Sequence, residues 1–269
     1  MYDTILIPTD GSDAATTAAR YGLTLAERFD ATVHVLSVVD PDRFATDAVG
    51  DVDDLVRRQS DRFERRARDA VDRVSAASAG PVETHVVEGR PATVLAEAID
   101  DYDADLVAMG THGRSGVDRY LLGSLAERTL RTAHVPVLAV RANGSPDAEP
   151  AIESVLLATD GSEGAERAAD HAVAVARATG ARLHALTVGD DDGPAASAAD
   201  RAREAGVDAT AAARAGRPHE TIEQYAAAHD ADLVVVGTHG RTGVERVLLG
   251  SVAERVLRTA TRPVLVVGP

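Results

Sequence analysis

An α/β protein made of two tandem, open, doubly wound five-stranded parallel sheets is what this sequence predicts. Three observations carry that expectation. Residues 110–131 return nearly unchanged at 237–258, and both copies keep the spacing Gly-x2-Gly-x9-Gly-Ser. Short apolar runs alternate with stretches of helical character along both copies, and the runs are apolar at nearly every position, as strands must be when helices cover both faces of a parallel sheet. The chain has 269 residues, enough for two modest domains.

In the first copy, strands are expected at Thr4–Ile7, Thr32–Val38, Pro81–Val87, Asp105–Met109 and Val135–Val140. Helices are expected between them at Ser12–Arg28, Val52–Ala77, Pro91–Asp101 and Ser124–Ala133. Pro91 and its counterpart Pro218 suit a first helical turn, where a missing N–H leaves no bond unmade. Gly80-Pro81 stops the long second helix. The order βαβαβαβαβ demands right-handed crossovers and therefore a doubly wound sheet. Thr9-Asp10-Gly11-Ser12 returns 150 positions later, whereas Gly89-Arg90-Pro91 returns 127 positions later, so the second copy is 23 residues shorter in between. Only Pro194–Ala205 is left there for its second helix.

Arg141 to Pro150 has no hydrophobic period and reads as a connector, giving halves 1–142 and 152–269 around a linker at 143–151. The last strands, Val135–Val140 and Pro263–Val267, are strongly apolar and fall at sheet edges. Such edges need partners. The two are expected to pair with each other as an internal pseudo-dimer.

Composition excludes several classes. Cysteine is absent, which removes disulfides, thiolate metal sites and cysteine nucleophiles. The formal net charge of -15 opposes non-specific nucleic-acid binding. No apolar stretch approaches the ~20 residues that span a bilayer, and no leader is read at the N-terminus, so a soluble cytoplasmic protein is expected. Histidines outside the repeated loop show no His-x-x-His or Glu-x-x-His spacing, and no metal site is expected from them.

Ligands of open parallel sheets bind beyond the carboxyl ends of the strands, where the winding direction switches. Asp10-Gly11-Ser12 and Asp160-Gly161-Ser162 should reach that rim, as should both glycine loops. Gly110 would let backbone approach a ligand, and Gly113 and Gly116 suit an anion nest. Gly123-Ser124 opens a helix whose free N–H groups favour phosphate. Gly237, Gly240, Gly243, Gly250 and Ser251 repeat the pattern. It is neither a Walker A loop, since the chain has no lysine, nor a dinucleotide fingerprint. For His112 and His239, contact with phosphate or metal and stabilisation of the turn are both open. Arg114, Arg119, Arg241 and Arg246 either reach outer phosphates or balance carboxylates. Asp190-Asp191-Asp192, and more mildly Asp40 and Asp42, either repel a triphosphate unless a divalent cation bridges them or form solvated acidic loops.

Ile-Leu-Ile-Pro-Thr-Asp-Gly-Ser at 5–12, the Gly-Arg-Pro turn, Asp-Leu-Val-Ala-Met-Gly-Thr-His-Gly at 105–113 and Pro-Val-Leu-Ala-Val at 136–140 resemble a universal stress protein domain. The glycine loop resembles that family's ATP-binding branch. The resemblance spans nearly the whole chain, twice. It implies an adenine nucleotide alpha hydrolase-like fold, bound ATP, dimer-like pairing of domains and a role in stress survival; a triphosphate brings Mg²⁺ or Mn²⁺ with it, and whole chains are expected to pair again as a homodimer through other surfaces. It places Pro8, Thr9 and Asp10 beside adenine and ribose, and the backbone of Val38 against the adenine. Gly110 falls beside the ribose, and Gly113, Gly123, Ser124 and Leu125 fall around the phosphates; Met109, His112 and Arg114 are further candidates at the same site. In the second copy the matching positions are Thr159, Asp160, Val188, Val236, Gly237, His239, Gly240, Gly250, Ser251 and Val252. Ala158 replaces Pro8 there.

A nucleotide-binding regulatory protein is the leading expectation. A slow ATPase or adenylyl-transferring enzyme is a second, with only Asp10 or Asp160 as an obvious base. A nucleotide-free interaction module is a third.

All 28 basic residues are arginine, a composition that fits either high internal salt or a GC-rich genome. High internal salt predicts a melting temperature that falls from molar to millimolar salt, as screening of carboxylate repulsion is lost. A melting temperature unchanged by desalting would leave codon composition as the source.

Overall fold

The structure, a computed structural model, describes residues 1–41, 52–111, 122–141, 150–238 and 249–268, with side chains described outside 52–60. The first half runs β1 (Thr4–Pro8), α1 (Asp13–Phe29), β2 (Thr32–Val39), α2 (Val52–Ala76), β3 (Val82–Glu88), α3 (Pro91–Asp101), β4 (Leu106–Gly110), α4 (Ser124–Thr132), β5 (Val137–Val140). The second repeats it as β6 (Ser154–Ala158), α5 (Glu163–Thr179), β7 (Arg182–Val188), α6 (Gly193–Glu204), β8 (Ala209–Arg214), α7 (Pro218–Ala228), β9 (Leu233–Gly237), α8 (Ser251–Thr259), β10 (Val264–Val267). The missing residues show in the second helix of each half: α2 has 25 residues and α6 has 12.

Small shifts from the expected bounds have local causes. Ser12 is the cap of α1 rather than its first residue, its side chain accepting from Ala15 N–H at 3.3 Å. The fifth strands start one residue after Pro136 and Pro263. Proline cannot donate to a ladder, yet both proline carbonyls still accept, from Val107 and Val234, at 3.0 Å.

Strand order is β3-β2-β1-β4-β5-β10-β9-β6-β7-β8 in one ten-stranded sheet. Within each half every pair is parallel, as expected. β5 and β10 pair antiparallel through Val137↔Val266, Leu138↔Leu265 and Ala139↔Val264. The two predicted edges are therefore the centre of a single sheet. A carboxylate fixes the start of each half: Asp105 accepts from Asp3 and Thr4 N–H, and Asp232 from Glu153 and Ser154 N–H.

Helices cover both faces. Ala18 of α1, Val71 of α2, Ala172 of α5 and Ala198 of α6 belong to one core. Leu95 of α3, Leu130 of α4, Ile222 of α7 and Leu257 of α8 belong to the other. Both cores run unbroken across the seam. Polar groups cross it too. The Tyr2 hydroxyl, fully buried, pairs with His171 Nδ1 of α5 at 2.8 Å. Burial, more than any charge, lowers the His171 pKa, which keeps the ring neutral for this bond. Arg141, expected at the start of the connector, instead donates to the Leu257 and Arg258 carbonyls at the end of α8, at 2.9 and 2.5 Å. A cation there also suits the negative end of the helix dipole. The rest of the connector falls outside the described residues, apart from Pro150 and Ala151. No helix among the described residues is long and apolar enough to cross a membrane.

A shared core predicts cooperative unfolding of the whole sheet. Leu138→Ala, at a fully buried seam position, should lower stability by about 2–5 kcal/mol. Hydrogen exchange should show protection falling together in β1, β2, β6 and β7. Loss confined to the first half would contradict a common core.

Candidate functional site

The switch in winding direction falls between β1 and β4 in the first half, and between β6 and β9 in the second. Each β1-type strand ends in a tight turn. Thr9 N–H donates to Leu36 O at 2.8 Å, Gly11 N–H to Thr9 Oγ1 at 3.2 Å, and Ser12 N–H to Asp10 Oδ1 at 3.0 Å. Thr159, Asp160, Gly161 and Ser162 repeat these bonds at 2.9, 3.2 and 3.0 Å. Gly11 and Gly161 each hold φ near 74°, the left-handed region that glycine favours.

The neighbouring strand offers backbone. The Val39 carbonyl accepts from Gly89 N–H, on the β3 side. Backbone groups alternate in direction along a strand, so those of Val38 turn to the opposite side. The last β1–β2 pair is Pro8↔Leu36, and beyond it β1 has turned away. Val38 therefore borders the mouth of the switch point. Val188 lies in the same relation to β6, whose last pair is Ala158↔Leu186.

Past β4, Thr111 N–H donates to Val140 O at 2.8 Å, and the Thr111 carbonyl accepts from Gly123 N–H at 2.7 Å. Thr238 does the same with Val267 and Gly250, at 2.9 and 2.6 Å. Both threonines are buried. The glycine segment thus leaves and rejoins the sheet at one closed point. Sequence reasoning passed over these threonines, although Gly-Thr-His-Gly in both copies carried the signal. His112, Gly113, Arg114, His239 and Gly240 lie outside the described residues, as do Gly116, Arg119, Arg241, Gly243 and Arg246.

The helices after the loops start differently from those after β1 and β6. Ser12 and Ser162 cap α1 and α5 with their own side chains. Gly123 and Gly250 cap α4 and α8 with no side-chain bond. Ser124 and Ser251 are first helical residues, exposed at the rim, and are not caps. The opening N–H groups of α4 and α8, including those of Leu125 and Val252, thus have no side-chain acceptor supplied by the cap.

Gly110 and Gly237 have a cause that sequence reasoning missed. A Cβ on Gly110 would stand 2.7 and 2.8 Å from backbone atoms of Ala14 and Ala15, and one on Gly237 would stand 2.6 Å from the Gly164 carbonyl oxygen. These glycines let the first turn of α1 and α5 press onto the sheet. Met109 and Val236, just before them, are buried in the other core.

The halves differ at the rim. β6–β9 pairing continues through Ala158↔Val236, whereas β1–β4 pairing is registered only at Ile5↔Leu106 and Leu6↔Val107. Pro8 explains this. Thr9 N–H points to β2, so by alternation position 8 faces β4, where proline has no N–H to give. Asp190 to Asp192, exposed after β7, also have a structural task. Asp192 caps α6, and Asp191 Oδ1 accepts from Gly193 N–H at 3.0 Å. Acids at a helix start are favourable in themselves.

Outside this rim the structure brings His34, Glu83 and His85 together. Linear spacing could not reveal it, because it depends on the β2–β3 register.

A sequence profile described as the Universal stress protein family matches residues 1–141, 151–203 and 194–268. A universal stress protein of Mycolicibacterium smegmatis is 32% identical over 289 residues, spanning 98% of this chain and 97% of its own. One from Methanocaldococcus jannaschii is 36% identical over 141 residues, 52% of this chain and 83% of its own. The crystal structure of a universal stress protein from Archaeoglobus fulgidus superposes with a TM-score of 0.78 at 25% identity, covering 100% of this chain and 99% of that one.

Close helix packing predicts that Gly110→Ala lowers the melting temperature with no ligand present. A Cβ against backbone cannot be relieved by a side-chain rotation, and about 1–3 kcal/mol should be lost. An unchanged melting curve would return Gly110 to a purely ligand-facing role.

Proposed function

Since the chain belongs to the universal stress protein family, we propose that it is a cytoplasmic ATP-binding regulatory protein of stress survival, with one nucleotide site per half. The observation that carries this reading is the pair of glycine-capped helix starts beside the two switch points. Their opening N–H groups, the helix dipole and the Ser124 and Ser251 hydroxyls suit phosphate oxygens. Adenine would lie against the backbone of Val38 or Val188. Ribose would fall near Asp10, Met109 and Gly110 in the first half, and near Asp160, Val236 and Gly237 in the second. Mg²⁺ or Mn²⁺ would offset the triphosphate charge beside the acidic residues of the rim.

Binding rather than turnover is the favoured role. Asp10 and Asp160 are the obvious bases, and each already accepts a backbone N–H within its own turn. The chain has no lysine to position a phosphate. Halves 1–142 and 152–269 act as the two binding units, and whole chains pair again through surfaces other than β5 and β10.

The first site is the stronger. Its rim is opened by Pro8 between β1 and β4, and its second helix is longer. The second site faces Asp190, Asp191 and Asp192.

Substituting the capping glycines tests this without removing a core contact. Gly123→Asp and Gly250→Asp keep a favoured cap residue but place a carboxylate on the N–H groups. In ATP titrations, Gly123→Asp should remove the tighter binding event and Gly250→Asp the weaker. Equal losses would refute the asymmetry. An untreated protein that neither co-purifies with ATP nor binds it at millimolar concentration would overturn the proposal.

A further inference from the structure

β2 and β3 set His34 opposite Glu83 and Leu36 opposite His85, so the two histidines and the glutamate share one face of the sheet. His34 Nδ1 stands 3.0 Å from His85 Nε2 and 3.9 Å from Glu83 Oε2, and the three ligand atoms lie within 4.8 Å of one another. The imidazole planes are only 15° apart, and the Tyr102 ring roofs both at 4.6 and 4.5 Å between centroids. His34 is 12% exposed, whereas Glu83 is 65% exposed and reaches the site from the sheet edge.

Two imidazole nitrogens at this distance share one proton: one donates and the other accepts. A divalent metal can take the place of that proton and add the carboxylate as a third ligand. A tetrahedral zinc ion with bonds of about 2.0–2.1 Å needs donor atoms roughly 3.3 Å apart. The histidine pair opens by a few tenths of an ångström to reach that, and a rotation of exposed Glu83 supplies the rest. The surroundings suit a cation. Tyr102 is the C-cap of α3, so the negative end of that helix dipole lies one side chain away. Burial and the neighbouring His34 both lower the His85 pKa, keeping the ring in the neutral form that a metal requires.

We infer that His34, His85 and Glu83 form a binding site for one divalent transition-metal ion of the zinc class, held by the two outer strands β2 and β3. Among the described residues the second half has no equivalent. There His184 faces Thr210 and bonds to its hydroxyl at 3.0 Å, and Ala212 stands where His85 does. One ion per chain follows. The site does not depend on nucleotide binding.

The test uses the full chain without an affinity tag, stripped of metal and free of nucleotide, titrated with Co²⁺ and then Zn²⁺. A visible ligand-field band saturating at one equivalent, and displaced by Zn²⁺, is expected. His85→Ala should abolish it, and Glu83→Gln, at an exposed position, should weaken binding by at least about tenfold. The band should persist in the double variant His112→Ala, His239→Ala. No band, a band unchanged by Glu83→Gln and His85→Ala, or one lost with the two loop histidines would each overturn the assignment.

Discussion

The antiparallel pairing of β5 with β10 is the constraint on which the rest of the architecture depends. Each half alone would end in a short, wholly apolar strand with an open edge. Joining the edges buries them at the centre of one sheet and makes both helical layers continuous. An antiparallel join between two parallel halves has a pseudo-two-fold axis normal to the sheet, so matching helices stay on the same face. The two switch points are held in one rigid frame as a result.

Within that frame, the way a helix begins separates structure from candidate chemistry. α1 and α5 satisfy their own first N–H groups through Ser12 and Ser162 and press against Gly110 and Gly237. α4 and α8 begin on glycine and receive no such help from their caps. The fold thus spends its serine caps where two elements must pack, and leaves them out where the rim faces solvent.

Most of the element order was legible in the sequence, because apolar runs, Pro91, Pro218 and Gly80-Pro81 report on local backbone chemistry. The pairing of the fifth strands was legible as well, since an uncharged edge is itself a signal. What could not be read depends on distance in space. Gly110 shows as a glycine but not as the seat of a helix turn 95 residues earlier in the chain, at Ala15. Arg141 looks like the start of a linker until the end of α8 is placed beside it. His34 and His85 are unremarkable until β2 and β3 take their register. Pro8 was visible as a difference between copies, but its effect on the β1–β4 ladder required knowing which neighbour position 8 faces.

The Arg141 contact has a meaning beyond stability. Its counterpart in the second half is Gly268, which has no side chain to offer the end of α4; its carbonyl instead accepts from Arg167 at 3.2 Å. A homodimer of single domains must write both sides of its seam with one sequence, so every change there appears twice. In a fused chain each side is encoded separately. The tandem repeat therefore joins two unlike halves on one polypeptide, each side of the seam free to differ from the other one residue at a time.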